Sequence, residues 1–323
     1  MLVPVLLFAV GLVLLIKGGD WFVDGATGIA HRFHLPELLI GATVVSIGTT
    51  LPEVMVSATS ALTGHGEIAY GNAIGSIICN TALIAAITIT VRPGPVNTGA
   101  LKKPVLFFFL SAAIYVINAY ITGYFSRPVG IIMLAIFVLY MVITVRDAFR
   151  TPSEENAHDY IVAEGPKAVA REILLLIIGA ALIAVGADLL VDNGTLIAQA
   201  MGVPESVIAL TFVALGTSLP ELVTAITSLI KGHGALSLGN VIGANIFNLV
   251  LVSGVSVTLA PFEVPCSSVL FGHNASLVLD IPVMLAVMAL MTLPALKRGK
   301  LERWQGLVLL GIYAAFCIIQ FTM

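Results

Sequence analysis

The sequence predicts an all-α membrane protein of ten transmembrane helices, arranged as two inverted repeats of five helices each. Three observations predict this fold class: an extremely hydrophobic composition, a series of long apolar runs and an internal repeat. Hydrophobic residues make up 59% of the 323 residues, charged residues only 10%, and the mean hydropathy is +1.06. Such a composition lies outside the range of soluble globular domains.

Ten apolar runs recur along the chain, and each is long enough to cross a hydrocarbon layer roughly 30 Å thick as a helix. They cover about residues 2–30, 36–62, 67–91, 104–122, 128–146, 168–196, 204–230, 235–258, 274–294 and 304–322. The first run starts directly after Met1 without a basic segment, so it is expected to be a helix rather than a cleaved signal peptide.

Lysine and arginine are distributed unevenly between the two sides of such a bundle. The loops on the same side as both termini lie near 63–66, 123–127, 197–203 and 259–273. Of the 15 basic residues only Arg127 falls there, whereas 13 lie on the opposite side. By the positive-inside rule, a multi-pass protein of the plasma (cell inner) membrane is expected, with both termini extracytoplasmic.

The two halves of the chain match at a constant offset of 168 residues. The matched residues are glycine, proline, asparagine and glutamate, whereas chance similarity between apolar helices would match leucine, valine and alanine. The pairs include Pro36/Pro204, Thr49/Thr217, Pro52/Pro220, Glu53/Glu221, Gly71/Gly239, Asn72/Asn240, Gly75/Gly243 and Asn80/Asn248. Because each half holds an odd number of helices, the second copy must enter the membrane from the opposite face, which makes the repeat inverted.

The repeat also defines the domain organisation. Five-helix units are expected at 1–146 and 168–323, with the most similar segments at 36–91 and 204–258. The segment 147–167, rich in Glu, Asp and Pro, is the expected cytoplasmic linker. Inverted repeats are common in secondary transporters, whose substrate sites lie near the midplane where interrupted helices of the two halves meet.

A run of Gly-Thr-(Thr/Ser)-Leu-Pro-Glu ends at Glu53 in the first copy and at Glu221 in the second. Proline removes a backbone donor and clashes with the preceding turn, so Pro52 and Pro220 should kink their helices and free carbonyl groups. Thr49 precedes Glu53 by one turn, which puts hydroxyl and carboxylate on one face. A charge in mid-membrane costs at least about 2.5–3.5 kcal/mol, so a symmetric pair of acids indicates function rather than two protonated side chains bridging helices.

The candidate ligands of these segments are all oxygen atoms, from carboxylates, hydroxyls, amides and freed carbonyls. Hard oxygen ligands favour Ca²⁺ or Na⁺ over zinc or copper, and Mg²⁺ fits a dehydrating cage less well. Two carboxylates balance one Ca²⁺, and without an ion they would repel each other in a desolvated site. An empty carrier should therefore rarely change state, which predicts obligatory exchange.

These matched segments resemble the alpha repeats of the sodium/calcium exchanger branch of the calcium/cation antiporter superfamily, and the resemblance extends over essentially the whole chain. It implies Na⁺/Ca²⁺ antiport at a site enclosed by helices 2, 3, 7 and 8. Two long tilted helices, 1 and 6, would slide across that site to alternate access. The implied partners are the two ions and the lipid bilayer, and we expect no enzyme activity, cofactor, nucleic acid or obligatory protein partner.

The resemblance also implies roles for individual residues. It places Ca²⁺ among Thr49, Glu53, Thr217 and Glu221. It assigns sodium ligands to Ser46, Thr50, Ser76, Ala214 and Ser218, with Ser46 and Ala214 acting through their carbonyls. Asn80 and Asn248 would flank the central position.

The sequence departs from this family's pattern at two positions. Many relatives carry an aspartate where this chain has Asn248, which argues against potassium dependence. Some relatives carry a serine where this chain has Ala244, so the two halves are expected to hold sodium unequally.

Other functions remain as alternatives. The same glutamates could exchange protons, or another cation, for Ca²⁺, although the clustered hydroxyls favour sodium. A cation channel would not need an inverted pair of desolvated acids, and an intramembrane enzyme would need a nucleophile or metal set that the sequence lacks. His65 and His233 lie in glycine turns and are expected to have a turn role, whereas Asp280 has no repeat counterpart and no assigned role.

Overall fold

The computed structural model describes residues 2–33, 35–150, 166–200, 216–266, 269–270 and 272–322. The helices are α1 Leu2–Arg32, α2 Glu37–Leu62, α3 Gly66–Val91, α4 Thr98–Ile121, α5 Arg127–Arg150, α6 Pro166–Ala200, α7 Leu219–Ile230, α8 Gly234–Leu259, α9 Ser276–Arg298 and α10 Arg303–Thr322. In the part of the chain described, 9 helices are long and apolar enough to cross a membrane, and α7 is a shorter apolar helix. The prediction of an all-helical membrane protein is confirmed.

The two longest described helices, α1 with 31 residues and α6 with 35, pack against each other through glycines. A Cβ atom on Gly11 would lie 2.9 Å from the carbonyl oxygen of Gly186, and one on Gly18 would lie 2.9 Å from that of Gly179. Small residues allow two backbones to approach this closely. The contact positions rise along α1 as they fall along α6, so the two helices run antiparallel.

The centre of the bundle is formed by α3 and α8, the most buried of the candidate membrane spans. Helix α8 passes close to α2 because glycines remove the side chains between them. A Cβ on Gly239 would overlap the Leu38 carbonyl, and one on Gly41 would overlap the Leu236 carbonyl. These contacts bring the two matched segments of the repeat together in the interior.

Four π-helical segments interrupt the described helices, at Gly41–Val45 in α2, Asn80–Ala85 in α3, Asn248–Val252 in α8 and Ser276–Asp280 in α9. Such wide turns are rare and are often found at functional sites. In two of these segments a serine hydroxyl donates a hydrogen bond to a backbone carbonyl. Ser46 Oγ donates to Gly41 O at 2.8 Å, and Ser253 Oγ donates to Asn248 O at 3.0 Å.

The two prolines that were expected to break their helices behave differently. Helix α2 remains α-helical through Pro52, and its irregularity lies earlier, in the π segment. Pro220 lies in the first turn of α7, directly after a turn formed by Thr217 and Ser218. Proline loses no intrahelical hydrogen bond in a first turn. The expected interruption is therefore found before Pro220, whereas at Pro52 the helix continues.

Short strands pair the loops between helices. They are β1 Gly94–Pro95, β2 Tyr124–Phe125, β3 Phe262–Glu263, β4 Val269–Leu270, β5 His273–Asn274 and β6 Lys300–Leu301. Strands β1 and β6 pair antiparallel, as do β2 and β3, and β4 and β5. The α3–α4 loop therefore lies beside the α9–α10 loop, and the α4–α5 loop lies beside the α8–α9 loop.

Candidate ion-binding site

One face of α2 carries polar side chains on successive turns. Thr49 and Thr50 each lie three or four residues from both Ser46 and Glu53, so the four residues share a face, and all four are buried. Gly243 on α8 lies directly against Ser46, where a side chain would overlap the serine hydroxyl. The predicted ligands of the first copy therefore point into the protein and not toward lipid.

The second copy presents its predicted ligands at the start of α7. Ser218 is the N-cap residue and Glu221 lies in the first turn; both are buried, and Thr217 is half-buried. A carboxylate is favoured in this position because the first N–H groups of a helix carry partial positive charge. Ala214, the remaining predicted ligand of this copy, lies outside the described residues.

Glu53 on α2 and Glu221 on α7 lie close enough for their charges to interact, and the two helices are in contact. Both are fully buried at 0% exposure, and within the described residues none of their four carboxylate oxygens has a hydrogen-bond partner. The hydroxyls of Thr49 and Thr50 lie near the Glu221 carboxylate. Burying an ionised group without a partner is very costly, so this arrangement is suited to a cation that supplies the missing charge.

Six of the predicted site residues have buried polar side-chain atoms without a hydrogen-bond partner in the described part of the chain. They are Thr50, Glu53, Asn80, Ser218, Glu221 and Asn248. Most buried polar groups in proteins are hydrogen-bonded, and an exception needs a cause such as an ion. Asn80 and Asn248 are each the first residue of a π segment, so the wide turn and the amide occur together in both copies. Ser76, one turn before Asn80, is also buried.

Two asparagines that were not among the predicted ligands join the repeat copies. Thr49 Oγ1 donates to Asn240 Oδ1 at 3.3 Å, and Thr217 Oγ1 donates to Asn72 Oδ1 at 3.2 Å. The two hydrogen bonds are equivalent under the repeat offset. Asn72 Nδ2 also donates to the backbone carbonyl of Glu53 at 3.2 Å. The sequence signal for these residues was their place in the repeated Gly-Asn pair.

A cavity of about 680 Å³ lies beside this cluster, between α2, α6 and α7. Its polar lining includes Thr217 together with Asp188 and Asp192 of α6, and both repeat prolines border it. The cavity brings the acidic side chains of α6 beside the start of α7, where they would attract a cation.

The opposite side of α7 is covered by α1. A Cβ on Gly19 would lie 2.7 Å from Val223 Cγ1, and Lys231 Nζ donates to Asp24 Oδ1 at 2.7 Å. Thus α1 packs directly on α7, whereas its repeat counterpart α6 leaves a cavity beside α2. The two halves therefore differ in packing although they match in sequence.

Comparison with known proteins gives matches over both halves of the chain. The family described as sodium/calcium exchanger protein matches residues 3–146 and 171–322. A membrane protein of Methanocaldococcus jannaschii is 36% identical over 308 residues, which is 95% of this chain and 94% of that one. The sodium/calcium exchanger MaX1 of Methanosarcina acetivorans is 29% identical over 355 residues, 98% of each chain. A solved structure of the sodium-calcium exchanger NCX_Mj has a TM-score of 0.80 at 33% identity and covers 97% of both chains.

Proposed function

Because the chain belongs to the sodium/calcium exchanger family, we propose that it exchanges Na⁺ for Ca²⁺ across the plasma membrane by alternating access. The family membership predicted from the two glutamate motifs is confirmed. Members of this family are antiporters, and the ions are their transported substrates. The observation that carries the proposal is a pair of fully buried glutamates, whose oxygens lack hydrogen-bond partners within the described residues.

Thr49, Glu53, Thr217 and Glu221 are the proposed Ca²⁺ ligands. Calcium takes six to eight oxygen ligands, and two carboxylates balance its charge. The hydrogen bonds of Thr49 to Asn240 and of Thr217 to Asn72 support this assignment. In both, the hydroxyl donates its proton to an amide oxygen, so its own lone pairs are directed elsewhere and are available to a cation.

The proposed sodium ligands are Ser46, Thr50, Ser76, Ala214 and Ser218, with Asn80 and Asn248 flanking the centre. Ser46 is proposed to act through its carbonyl, while its hydroxyl, with Gly41 O at 2.8 Å and Asn240 O at 2.9 Å as alternative acceptors, links α2 to α8. Ala244 is buried and carries no hydroxyl, so the second copy offers one ligand fewer than the first. Asn248 is uncharged, so it offers a potassium ion no carboxylate.

The proposed architecture is two inverted units, 1–146 and 168–323, joined by the linker 147–167. Contacts between the units support it because they occur in equivalent pairs. Gly11 meets Gly186 and Gly18 meets Gly179, and the repeat offset converts one contact into the other, because Gly11 corresponds to Gly179 and Gly18 to Gly186. Such reciprocal antiparallel contacts are expected of two copies related by a two-fold axis in the membrane plane.

The strand pairs support ten membrane crossings. Two loops that pair must lie on the same side of the membrane, so the number of crossings between them is even. Six helices, α4 to α9, separate β1 from β6, and four helices, α5 to α8, separate β2 from β3. Both numbers are even only if α7, the shorter described helix, belongs to a segment that crosses the membrane.

Alternating access would come from α1 and α6. The tight contact of α1 on α7 and the cavity beside α6 are consistent with a state open on one side. Basic residues of the α1–α2 and α7–α8 connections, such as Arg32 and Lys231, assign that closed side to the cytoplasm. The cavity would then open to the exterior. The same orientation puts the C-terminus in the extracytoplasmic space, so alkaline phosphatase fused to the C-terminus should be active there.

Proteoliposomes provide the test of this function. We expect radiolabelled Ca²⁺ to accumulate when the vesicles are loaded with Na⁺ and diluted into Na⁺-free buffer, because outward Na⁺ flow drives Ca²⁺ inward. Vesicles carrying Glu53→Gln serve as the control for leakage. Uptake driven by an outward proton gradient, but not by a sodium gradient, would overturn the sodium assignment and favour proton/calcium exchange.

A further inference from the structure

Three side chains with metal-binding atoms meet where α1, α2 and α8 come together. His31 lies in the last turn of α1, Glu37 is the first residue of α2, and His233 directly precedes α8. His233 Nδ1 lies 2.8 Å from Glu37 Oε1, and His31 Nε2 lies 3.9 Å from the same oxygen. One ligand atom from each residue lies within 4.8 Å of the other two.

This set of ligands matches a divalent transition metal. Zinc binds histidine nitrogen and carboxylate oxygen at about 2.0–2.2 Å, often with three protein ligands and one water. A tetrahedron of that size places neighbouring ligand atoms about 3.4 Å apart. The observed distances of 2.8 and 3.9 Å lie on either side of that value, and the two histidine nitrogens lie within 4.8 Å of each other, so side-chain adjustments would bring the three atoms to this spacing. Ca²⁺ and Na⁺ prefer oxygen, so the two imidazoles make this site chemically distinct from the glutamate pair.

The cluster is sheltered but accessible to a small ion. The side chains of His31, Glu37 and His233 are 8%, 13% and 12% exposed. Glu37 also lines a cavity of about 700 Å³ between the ends of α2, α3 and α8. Partial burial raises the affinity of a charged ligand set for a cation, and the cavity provides a route to it.

The repeat does not generate this cluster on the other side of the protein. His233 corresponds to His65, but His31 corresponds to Gln199, so the other copy has one imidazole fewer. His65 is exposed and lies beside Thr63, with 3.1 Å between His65 Nδ1 and Thr63 Oγ1. The trio is therefore specific to one end of the bundle.

We propose that His31, Glu37 and His233 bind a divalent transition-metal ion of the Zn²⁺ class. The bound ion clamps the end of α1 to α2 and α8. Because α1 is one of the two helices expected to slide during exchange, the clamp holds the carrier in the state described here and slows transport. The metal binding is independent of the proposed function, whereas its effect on transport rests on it.

Cobalt is the probe for binding, since tetrahedral Co²⁺ absorbs visible light and substitutes for zinc. The full chain is purified in detergent and titrated with Co²⁺. We expect one Co²⁺ per chain, displaced by Zn²⁺, in the wild type and in the matched control His65→Gln. His31→Gln and His233→Gln should bind at least about 100-fold more weakly, because even second-shell partners of a metal contribute 10- to 100-fold.

Gel filtration and thermal melting establish that the glutamine variants are folded. Equal Co²⁺ absorption in the wild type, His31→Gln and His233→Gln would overturn the site. Tight binding that is lost in Glu53→Gln but kept in His31→Gln would overturn it as well, because the metal would then lie in the glutamate centre.

Transport in proteoliposomes tests the clamp. Zn²⁺ should slow Ca²⁺ uptake by the wild type and by His65→Gln, but not by His31→Gln or His233→Gln. Equal inhibition of all four proteins would overturn the clamp, since the metal would then compete at the ion site. If the wild type carries no Ca²⁺ at all, the proposed function fails, while the Co²⁺ titration still decides the metal site.

Discussion

Glu53 and Glu221 are fully buried, and their carboxylate oxygens have no hydrogen-bond partner among the described residues. We expect Glu53→Gln and Glu221→Gln each to abolish Ca²⁺ exchange, because glutamine keeps the shape of the side chain but removes a charged ligand. Both variants should remain folded with unchanged or higher melting temperature, since loss of a buried unpaired charge removes a desolvation cost. Near-normal uptake by either variant would contradict the central assignment.

Asn72 is a positioning residue for the same site, because it accepts a hydrogen bond from Thr217 and donates one to the Glu53 carbonyl. We expect Asn72→Ala to raise the half-saturating Ca²⁺ concentration about tenfold, which corresponds to about 1.4 kcal/mol, the size of one lost hydrogen bond. The maximal rate should change less. Asn118→Ala, which removes a hydrogen bond to Tyr124 in an exposed loop, is the control. An unchanged Ca²⁺ dependence in Asn72→Ala would contradict this role.

At the level of residues, the repeat offset identifies equivalent positions but not contacts. It was sufficient to pair Glu53 with Glu221, because each matches the other in sequence. It could not reveal that Thr217 bonds Asn72, since contact depends on how the helices cross. His31 and His233 have no relation through the offset, so only folding brings them together.

At the level of elements, Gly243 is one of the glycines that allow α8 to approach α2 closely. A Cβ on Gly243 would overlap Ser46 Oγ and lie 2.6 Å from Ala42 Cα. Gly243→Ala should therefore destabilise the protein by about 1–3 kcal/mol, the usual cost of overpacking, and lower its melting temperature. The control is Gly311→Ala in α10, where a Cβ meets nothing within 4 Å. Equal melting temperatures for the two variants would show that the helices can separate without cost.

Hydrophobic runs predicted the nine long helices of the described residues, including the exceptional lengths of α1 and α6, whereas the run 204–230 is described only from residue 216 onward. They could not predict the π turns, because one extra residue in a turn hardly changes the mean hydropathy of an apolar run. The helix continues through Pro52, since neighbouring groups in a membrane bundle can satisfy the carbonyls that a proline leaves unpaired, and the predicted kink there stays a prediction. Propensity thus describes a helix in isolation, whereas its neighbours decide whether it is interrupted.

At the level of the whole molecule, the two halves are alike in sequence and different in packing. The offset treats them equally, so the sequence could predict an inverted pair but not which side is closed. The closing contact contains a residue without symmetry: Lys231, which binds Asp24, corresponds to Thr63 in the other copy. We expect an ion pair that is present in one copy only to bias the equilibrium between the two states of the proposed exchange cycle.

In the proposed cycle, the accessibility of the cavity between α2, α6 and α7 would report that equilibrium. Ala184 lines the cavity, so Ala184→Cys should react with a membrane-impermeant maleimide added from outside. Of the native cysteines, Cys79 is buried, and replacing Cys266 and Cys317 by serine removes the background. The reaction rate then measures the fraction of molecules open to the exterior.

In that background Lys231→Gln should slow the labelling of Ala184→Cys, because α1 is no longer held to α7 and the cavity is open for less of the time. A partly exposed ion pair contributes about 0.2–1 kcal/mol, so the reduction should be at most about fivefold. Lys103→Gln is the matched control, since Lys103 pairs with Asp147 and joins α4 to α5. Equal rates in the two variants would mean that this ion pair has no part in closing the cytoplasmic side, and faster labelling in Lys231→Gln would assign it to the opposite state.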